Sequence, residues 1–231
     1  MNVGLQFLSV TWTERVPDNE VVMILREIHN ALRQALRYMP DPDPVSLVGL
    51  PEVKPYGYWV LQDSLPGQAY GSVKWYIDQS YDAENQRLLA WRYLNLVRNE
   101  PYQFYTPHYD LAFVHYPLYD EQAQQEAIGI EIPGHAAIVS TEPLNRLPVR
   151  HERPLVLHRI VAHYVGRVMG IPYIRPGEPG GCSGICAMRP AETLDEWLAL
   201  AEEESFVNVT YCEPCRRQLA AKIASNQLGA N

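Results

Sequence analysis

The feature that most constrains this chain is the placement of its four cysteines in two close pairs. They form a C-x3-C within CSGICAM and a C-x2-C within YCEPC, at Cys182, Cys186, Cys212 and Cys215. Two short loops of this kind can each present two sulfur atoms to one ion, at about 2.3 Å from a tetrahedral zinc. Reduced buried thiols would not normally fall into two close pairs flanking turn residues. The spacing therefore predicts one structural zinc held by four thiolates.

Composition places the chain among ordinary globular proteins, with 47% hydrophobic and 20% charged residues in 231. No Gly/Ser-rich or charge-rich linker divides it, so we expect one domain over 1–231, with a sheet-containing part (1–150) and a part carrying the cysteines and C-terminal helices (151–231). The net charge of -8 argues against a nucleic-acid partner, which needs a basic face.

Three further features predict a cytoplasmic protein with no membrane partner. No basic segment followed by an apolar run opens the chain, so we expect no secretory signal. The longest apolar stretch, Leu155 to Ile171, is interrupted by arginines and histidines and is not expected to span a membrane. Paired cysteines in such a chain indicate metal binding rather than disulfides, in a reducing compartment.

The hydrophobic patterns predict an α/β (α+β) fold with a mixed sheet and packed helices. Strands are expected at Asn2–Thr11, Val45–Val48, Tyr58–Gln62, Tyr109–Tyr119 (the central strand), and at Ala127–Ile132 paired with His135–Ser140 around Pro133-Gly134. Helices are expected after a cap at Asp18 or Asn19, from about Ala83 to Val97, from Pro154, over Thr193–Glu204, and from Glu213 or Pro214 to Leu228.

The helix that begins at Pro154 carries a partial metal-binding pattern. In the zinc peptidase motif H-E-x-x-H, two histidines lie about 40° apart around the helix axis and reach one ion, while the glutamate polarises a bound water. Here Leu157–Met169 reads LHRIVAHYVGRVM, with His163, Gly166 and Met169 in the pattern H-x-x-G-x-x-M. With His163 as the second ligand, the other motif positions are degenerate and hold Arg159 (first histidine), Ile160 (glutamate) and Met169 (third ligand).

Two interpretations of the histidines on this helix follow. His158 lies five residues before His163, about 140° away on a regular helix, and only a π-bulge could bring the two imidazoles to one ion. In that case Glu178, on the loop that follows, is the candidate base. In the other interpretation, which we favour because one imidazole cannot hold zinc, His163 is a satisfied buried residue paired with Glu152 or a backbone carbonyl. The acidic run Glu202–Glu204 is expected to be a solvated helix face, and His108, His115, His135 and His151 carry no spacing signal.

The order of these motifs resembles that of the archaemetzincins, zinc peptidases of the metzincin group. Their pattern is HExxHxxGxxH, then C-x4-C-x-M, then C-x2-C, and this chain follows it at His163, Gly166, the four cysteines and Met188. Two histidines and the glutamate are absent, Gly170–Gly181 is an insertion, and the first cysteine pair is one residue short. The resemblance implies a compact metallopeptidase fold with a four-cysteine zinc and Met188 as the Met-turn, but without the catalytic zinc.

Three functions are compatible with this reading. The first is a catalytically silent relative, or pseudo-peptidase, with one structural Zn2+ and a cleft in which a peptide or protein segment adds to an edge strand, Ala127–Ile132 or His135–Ser140. The second is an active zinc-dependent metallopeptidase that uses a rebuilt site around His158 and His163, with Met169 or Glu178. The third is a scaffold in which Arg159 and its partners fill the cleft.

Overall fold

The computed structural model describes residues 7–39, 49–58, 72–148, 150–175, 177–178, 181–182 and 184–228. Its strands are β1 (Leu8–Trp12), β2 (Val53–Gly57), β3 (Tyr81–Asp82), β4 (Arg87–Leu89), β5 (Tyr109–Val114), β6 (Leu118–Asp120), β7 (Gln125–Ala127), β8 (Gly129–Ile132) and β9 (Ala136–Ser140). Its α-helices are α1 (Asp18–Arg33), α2 (Val73–Ser80), α3 (Ala90–Arg98), α4 (Pro101–Tyr105), α5 (Glu152–Val168), α6 (Leu194–Val207) and α7 (Glu213–Leu228).

Five strands form the main sheet in the order β2-β1-β5-β9-β8. The first four run parallel, and β8 is antiparallel to β9 at one edge. All six residues of β5 are buried, which explains its nearly continuous apolar sequence, because a central parallel strand is covered on both faces. This mixed sheet with packed helices confirms the predicted fold class.

The two faces of the sheet are covered by different helices. Leu111 and Phe113 of β5 belong to a core shared with α1 and α5, while the alternating Ala112 and Val114 belong to a core shared with α2 and α3. Successive strand side chains point to opposite faces, so β5 supplies both cores. All four cysteines lie on the α5 side.

The predicted helix from Ala83 to Val97 is wrong in its first half. Residues 81–89 form a hairpin of β3 and β4, and only Ala90–Arg98 is helical. The turn places Gln86 at φ 52°, and the Arg87 guanidinium lies 3.2 Å from the Asp82 carboxylate across the hairpin. β4 then pairs with β6 in a second sheet of order β3-β4-β6-β7. This pairing with a segment 30 residues away overrides the local helical spacing of the leucines.

The predicted central strand also divides in two. β5 ends at Val114 and β6 begins at Leu118 in the other sheet, because Pro117, which lacks an N–H, falls between them. Helix α2 was not predicted, and the helix at Asp18 begins after Pro17 with no side-chain cap, so capping by Asp18 or Asn19 is wrong.

Several other predicted elements are confirmed, although α5 begins at Glu152 rather than at Pro154, and the strand predicted over Asn2–Thr11 is described only from residue 7, with β1 at Leu8–Trp12. β8 and β9 form the expected hairpin, with Gly134 at φ 73° in the turn. Helix α6 starts after Thr193, whose hydroxyl accepts the Glu196 N–H in a capping box. The strand predicted at Val45–Val48 lies outside the described residues, as does most of the one predicted at Tyr58–Gln62. Within the described residues, no helix is long and apolar enough to cross a membrane.

Candidate functional site

Helix α5 is a continuous α-helix from Glu152 to Val168, packed against α1, α6 and the sheet. It contains no π-bulge, so the two histidines point in different directions. His158 is half-exposed, and its Nδ1 lies 2.7 Å from the Glu27 carboxylate of α1. His163 is buried and faces the turn that contains Ala187. The rebuilt metal site that combines them through a bulge is therefore wrong.

His163 is a satisfied buried histidine. Its Nδ1 lies 2.8 Å from the Ala187 carbonyl oxygen, so Nδ1 carries the proton and donates it. Burial lowers the pKa of His163 to about 3, although the bond to Ala187 opposes this shift, and the ring is therefore neutral. The ring packs edge-on against Tyr164 and against Trp197 of α6. The partner is a backbone carbonyl, which was one of the two proposed from the sequence.

Arg159 occupies the position at which the motif has its first histidine. The side chain is 1% exposed, with Nε 2.9 Å from the Glu204 carboxylate and Nη2 2.6 Å from the Arg189 carbonyl oxygen. Its guanidinium carbon lies 4.6 Å from the centre of the Trp197 ring, in a cation–π contact. Burial raises the pKa of Glu204 to about 7, against the opposing effect of Arg159. Glu204 is thus a buried partner, and its assignment to a solvated face is wrong.

The remaining candidates do not converge on His163 or on one another. Ile160 and Met169 are buried in the core on the α5 side of the sheet. Glu178 is exposed in the loop after α5, where its carbonyl accepts the Gly181 N–H. The structure therefore brings no second metal ligand or base from this set toward His163.

Met188 packs directly beneath α5. A Cβ built on Gly166 would lie 2.3 Å from the Met188 sulfur, so the helix needs glycine at this contact. The Tyr211 hydroxyl, beside the second cysteine pair, donates a hydrogen bond to the Ala162 carbonyl. These contacts tie the cysteine segments to the buried side of α5.

The four cysteines come together in one buried cluster. Their sulfur atoms all lie within 4.8 Å of one another, and none of the four is in a disulfide. The sulfurs of Cys182 and Cys212 are 3.8 Å apart, which is about the edge of a tetrahedron with zinc–sulfur bonds of about 2.3 Å. The Cys212 N–H donates to the Cys186 sulfur at 3.3 Å, and such a bond stabilises a thiolate and orients it toward a metal. The donor set and spacing fit zinc.

Local structure explains why both pairs can close. Gly184, within the C-x3-C turn, adopts φ 99°, which favours glycine. The C-x2-C segment brackets the start of α7 at Glu213, where the helix dipole favours a thiolate. A hydrogen bond from Cys186 lowers the pKa of the Cys182 thiol to about 7.

A second buried group was missed by the sequence analysis. Glu100, His108 and Asp110 place three potential ligand atoms within 4.8 Å of one another. His108 carries no motif spacing, and Glu100 lies on a different element. The available signal was the pair His108 and Asp110, two polar residues separated by one position at the start of a strand predicted to be buried.

No protein-family model and no curated protein sequence matches this chain. Among solved structures, it is similar to the archaemetzincin of Methanopyrus kandleri, with a TM-score of 0.59 and 16% identity over 96% of this chain and 97% of that one. It is also similar to a zinc-dependent peptidase from Methanocorpusculum labreanum, with a TM-score of 0.52 and 18% identity over 92% of this chain and 99% of that one. The fold is therefore archaemetzincin-like.

Proposed function

We propose that this chain is a non-catalytic protein with the archaemetzincin-like fold, stabilised by a zinc ion on its four cysteines. The observation that carries the proposal is Arg159, which lies at the first-histidine position of α5, ion-paired with Glu204 and covered by Trp197. An arginine stays protonated near neutral pH and repels a dication, so it neither binds zinc nor acts as a base.

The open space beside α5 supports the same conclusion. A cavity of about 340 Å³ is bordered by α1, α5 and α6 and is lined by polar side chains that include His158, Arg159 and Glu204. Glu204 is the one carboxylate among the lining residues, and it is already bonded to Arg159. Among the described lining residues no carboxylate is unpaired, and the two lining histidines, His151 and His158, belong to no group of metal ligands that could activate a water molecule.

Peptide hydrolysis by the zinc-loaded protein tests the proposal. A quenched fluorescent peptide library is incubated with the wild-type protein and with His163→Ala, which removes the histidine that matches the motif. We expect no hydrolysis above background in either protein. Hydrolysis that co-elutes with the wild-type protein on a further column would overturn the proposal, whether it is lost or kept in His163→Ala.

The cysteine cluster is tested separately with cobalt. Co2+ bound to four thiolates gives intense sulfur-to-metal charge-transfer absorption in the near ultraviolet, and Cys212→Ser should reduce it. Absence of this absorption from the cobalt-loaded wild type would show that the cysteines do not hold a metal.

We further propose that an extended peptide adds to β8. This strand is the last in the sheet order, and each of its four residues is partly buried rather than fully buried. The alternative edge, His135–Ser140, is wrong, because β9 lies between β5 and β8. An exposed edge offers backbone groups for β-augmentation.

Amide NMR during titration with a pool of extended random peptides tests this site. Saturable shifts are expected at Gly129–Ile132. The opposite edge, β2, carries Pro55 within the strand and serves as the internal control. No saturable binding, or equal shifts at β2 and β8, would eliminate this partner.

A further inference from the structure

Glu100, His108 and Asp110 form a buried polar cluster on the side of the sheet away from the cysteines. Asp110 alternates with Leu111 along β5 and therefore faces the α3 side, together with Ala112. Glu100 immediately precedes α4, and His108 ends the loop that leads from α4 into β5. The side chains of His108 and Glu100 are almost completely buried, and that of Asp110 is 10% exposed.

Hydrogen bonds from neighbouring groups orient one ligand atom of each residue toward the others. The His108 Nδ1 lies 2.7 Å from the Thr106 carbonyl oxygen, so Nδ1 is the donor and Nε2 faces the carboxylates. The Gln103 amide donates to Asp110 Oδ2 at 2.6 Å, which leaves Oδ1 toward His108. The Tyr76 hydroxyl donates to Glu100 Oε2, and Glu100 Oε1 is buried without a hydrogen-bond partner.

The distances between these three atoms favour a shared cation. His108 Nε2 is 3.4 Å from Glu100 Oε1 and 3.3 Å from Asp110 Oδ1. Direct charge-assisted hydrogen bonds would be shorter, at about 2.7–2.9 Å. Ligand atoms at about 2.1 Å from a tetrahedral zinc are about 3.4 Å apart, which agrees with the observed separations.

Charge and space also favour a cation. Burial alone would lower the pKa of His108, but its hydrogen bonds to Asp110 and Glu100 raise the pKa to about 10, so without a metal the imidazole carries a proton between the two carboxylates. A divalent cation that displaces this proton would leave a neutral imidazole and would neutralise both carboxylates, with no buried net charge. A histidine that binds a metal through one ring nitrogen usually donates the N–H of the other to a carbonyl or carboxylate, as His108 Nδ1 does to Thr106. A cavity of about 10 Å³, lined in part by Glu100, Asp110, Tyr93 and Thr11, has room for about one water molecule as a fourth ligand.

We propose that Glu100 Oε1, His108 Nε2 and Asp110 Oδ1 bind a zinc ion in the core, separate from the cysteine site. This ion joins the segment that precedes α4 to the start of β5. The proposal goes beyond the proposed function, since it concerns the opposite face of the sheet and does not depend on whether the α5 site is catalytic.

Zinc analysis after selective release tests the site. The full-length protein is loaded with zinc, dialysed, and treated with a mercurial that releases zinc from thiolates only. We expect two zinc ions per chain before treatment and one after it. Glu100→Gln, which keeps the side-chain shape but loses the anionic ligand, should abolish the mercurial-resistant ion. Asp78→Asn, at an exposed carboxylate paired with Lys74, is the matched control and should keep both.

Nitrogen-15 NMR of His108 in the wild-type protein gives a second measurement that does not rely on a variant folding. A nitrogen-15 chemical shift typical of a metal-bound Nε2, which changes when a chelator removes zinc, supports the site. A protonated Nε2 in the zinc-loaded protein, or loss of all zinc to the mercurial, would overturn it and leave a buried imidazolium between two carboxylates. Retention of two ions by folded Glu100→Gln would also overturn it.

Discussion

At the scale of single residues, two motif positions of α5 hold side chains that pair within the protein, Arg159 with Glu204 and His163 with the Ala187 carbonyl. The absence of two ligand histidines and of the glutamate can be predicted directly from the motif positions, and so can a backbone-bonded His163. The pairing of Arg159 with Glu204 could not be predicted, because the two residues are 45 positions apart. Glu204 also follows two other glutamates, and such a run is typical of a solvated face.

The buried neutral state of His163 predicts a specific pH dependence of stability. Its folded pKa of about 3 lies below the unfolded value of about 6.5, so the unfolded chain binds an extra proton between these values. The free energy of unfolding is therefore unaffected by His163 above about pH 6.5. Well below that pH it falls by about 1.4 kcal/mol for each unit by which the pH is lowered.

Urea unfolding at pH 5.5 to 7.5 measures this effect. His163→Asn retains a donor for the Ala187 carbonyl but cannot titrate, so its free energy of unfolding should fall less than that of the wild type on acidification. The exposed His151, changed to asparagine, is the control. Parallel pH curves for the wild type and His163→Asn would contradict the prediction.

The Arg159–Glu204 pair predicts strongly non-additive mutations. Arg159→Met leaves Glu204 buried without its partner and should lower the free energy of unfolding by about 3–5 kcal/mol, while the double variant Arg159→Met/Glu204→Leu should recover most of that loss. Arg217→Met, at an exposed pair with Glu213, should change stability far less than Arg159→Met, because solvent screens an exposed ion pair. Additive losses in a double-mutant cycle would refute the coupling.

At the scale of elements, predictions succeed where the local sequence determines the structure. The β8–β9 hairpin follows from Pro133-Gly134 between apolar runs, and α6 follows from its capping box. The β3–β4 hairpin was missed because Leu88 and Leu89 fit a helical spacing as well as a strand. These two leucines lie in a strand because β4 pairs with β6, and this long-range pairing cannot be predicted from the local spacing of apolar residues.

The close contact between α5 and Met188 predicts the cost of a small substitution. Gly166→Ala places a methyl group against the Met188 sulfur in a fully buried contact and should destabilise the protein by about 1–3 kcal/mol. Adding Met188→Ala removes the clash, so the combined loss should be smaller than the sum of the two single losses. Thermal unfolding of the three variants measures the difference, and strict additivity would count against the contact.

At the scale of the whole molecule, the archaemetzincin-like fold could be predicted from the order of the motifs, and the structural comparisons confirm it. The four cysteines could be predicted to meet because each short loop supplies two of the four thiolates that one tetrahedral zinc binds. The cluster of Glu100, His108 and Asp110 could not, because it forms only when β5 is placed against α3 and α4.

Zinc on the cysteines should make stability depend on metal concentration. At free zinc about 1,000 times its dissociation constant, the ion contributes about 4 kcal/mol to the free energy of unfolding. A strong chelator should therefore lower the melting temperature of the wild type, and Cys212→Ser should show a lower melting temperature with or without chelator. A wild-type melting temperature that is insensitive to metal removal would contradict this expectation.

The cysteine cluster also has a consequence for chain connectivity. Cys182 and Cys212 meet although they are 30 residues apart, and α6, which covers Arg159 with Trp197, lies between them. A zinc ion on the four cysteines would fix both ends of that segment and close a ring that contains α6, so α6 could not swing away about a single hinge. Movement of α6 away from α5 would then be easier after the ion is released. Amide protons in α6 should then exchange with solvent at a rate set by metal occupancy, and mutations that restore histidines on α5 would still leave the site covered.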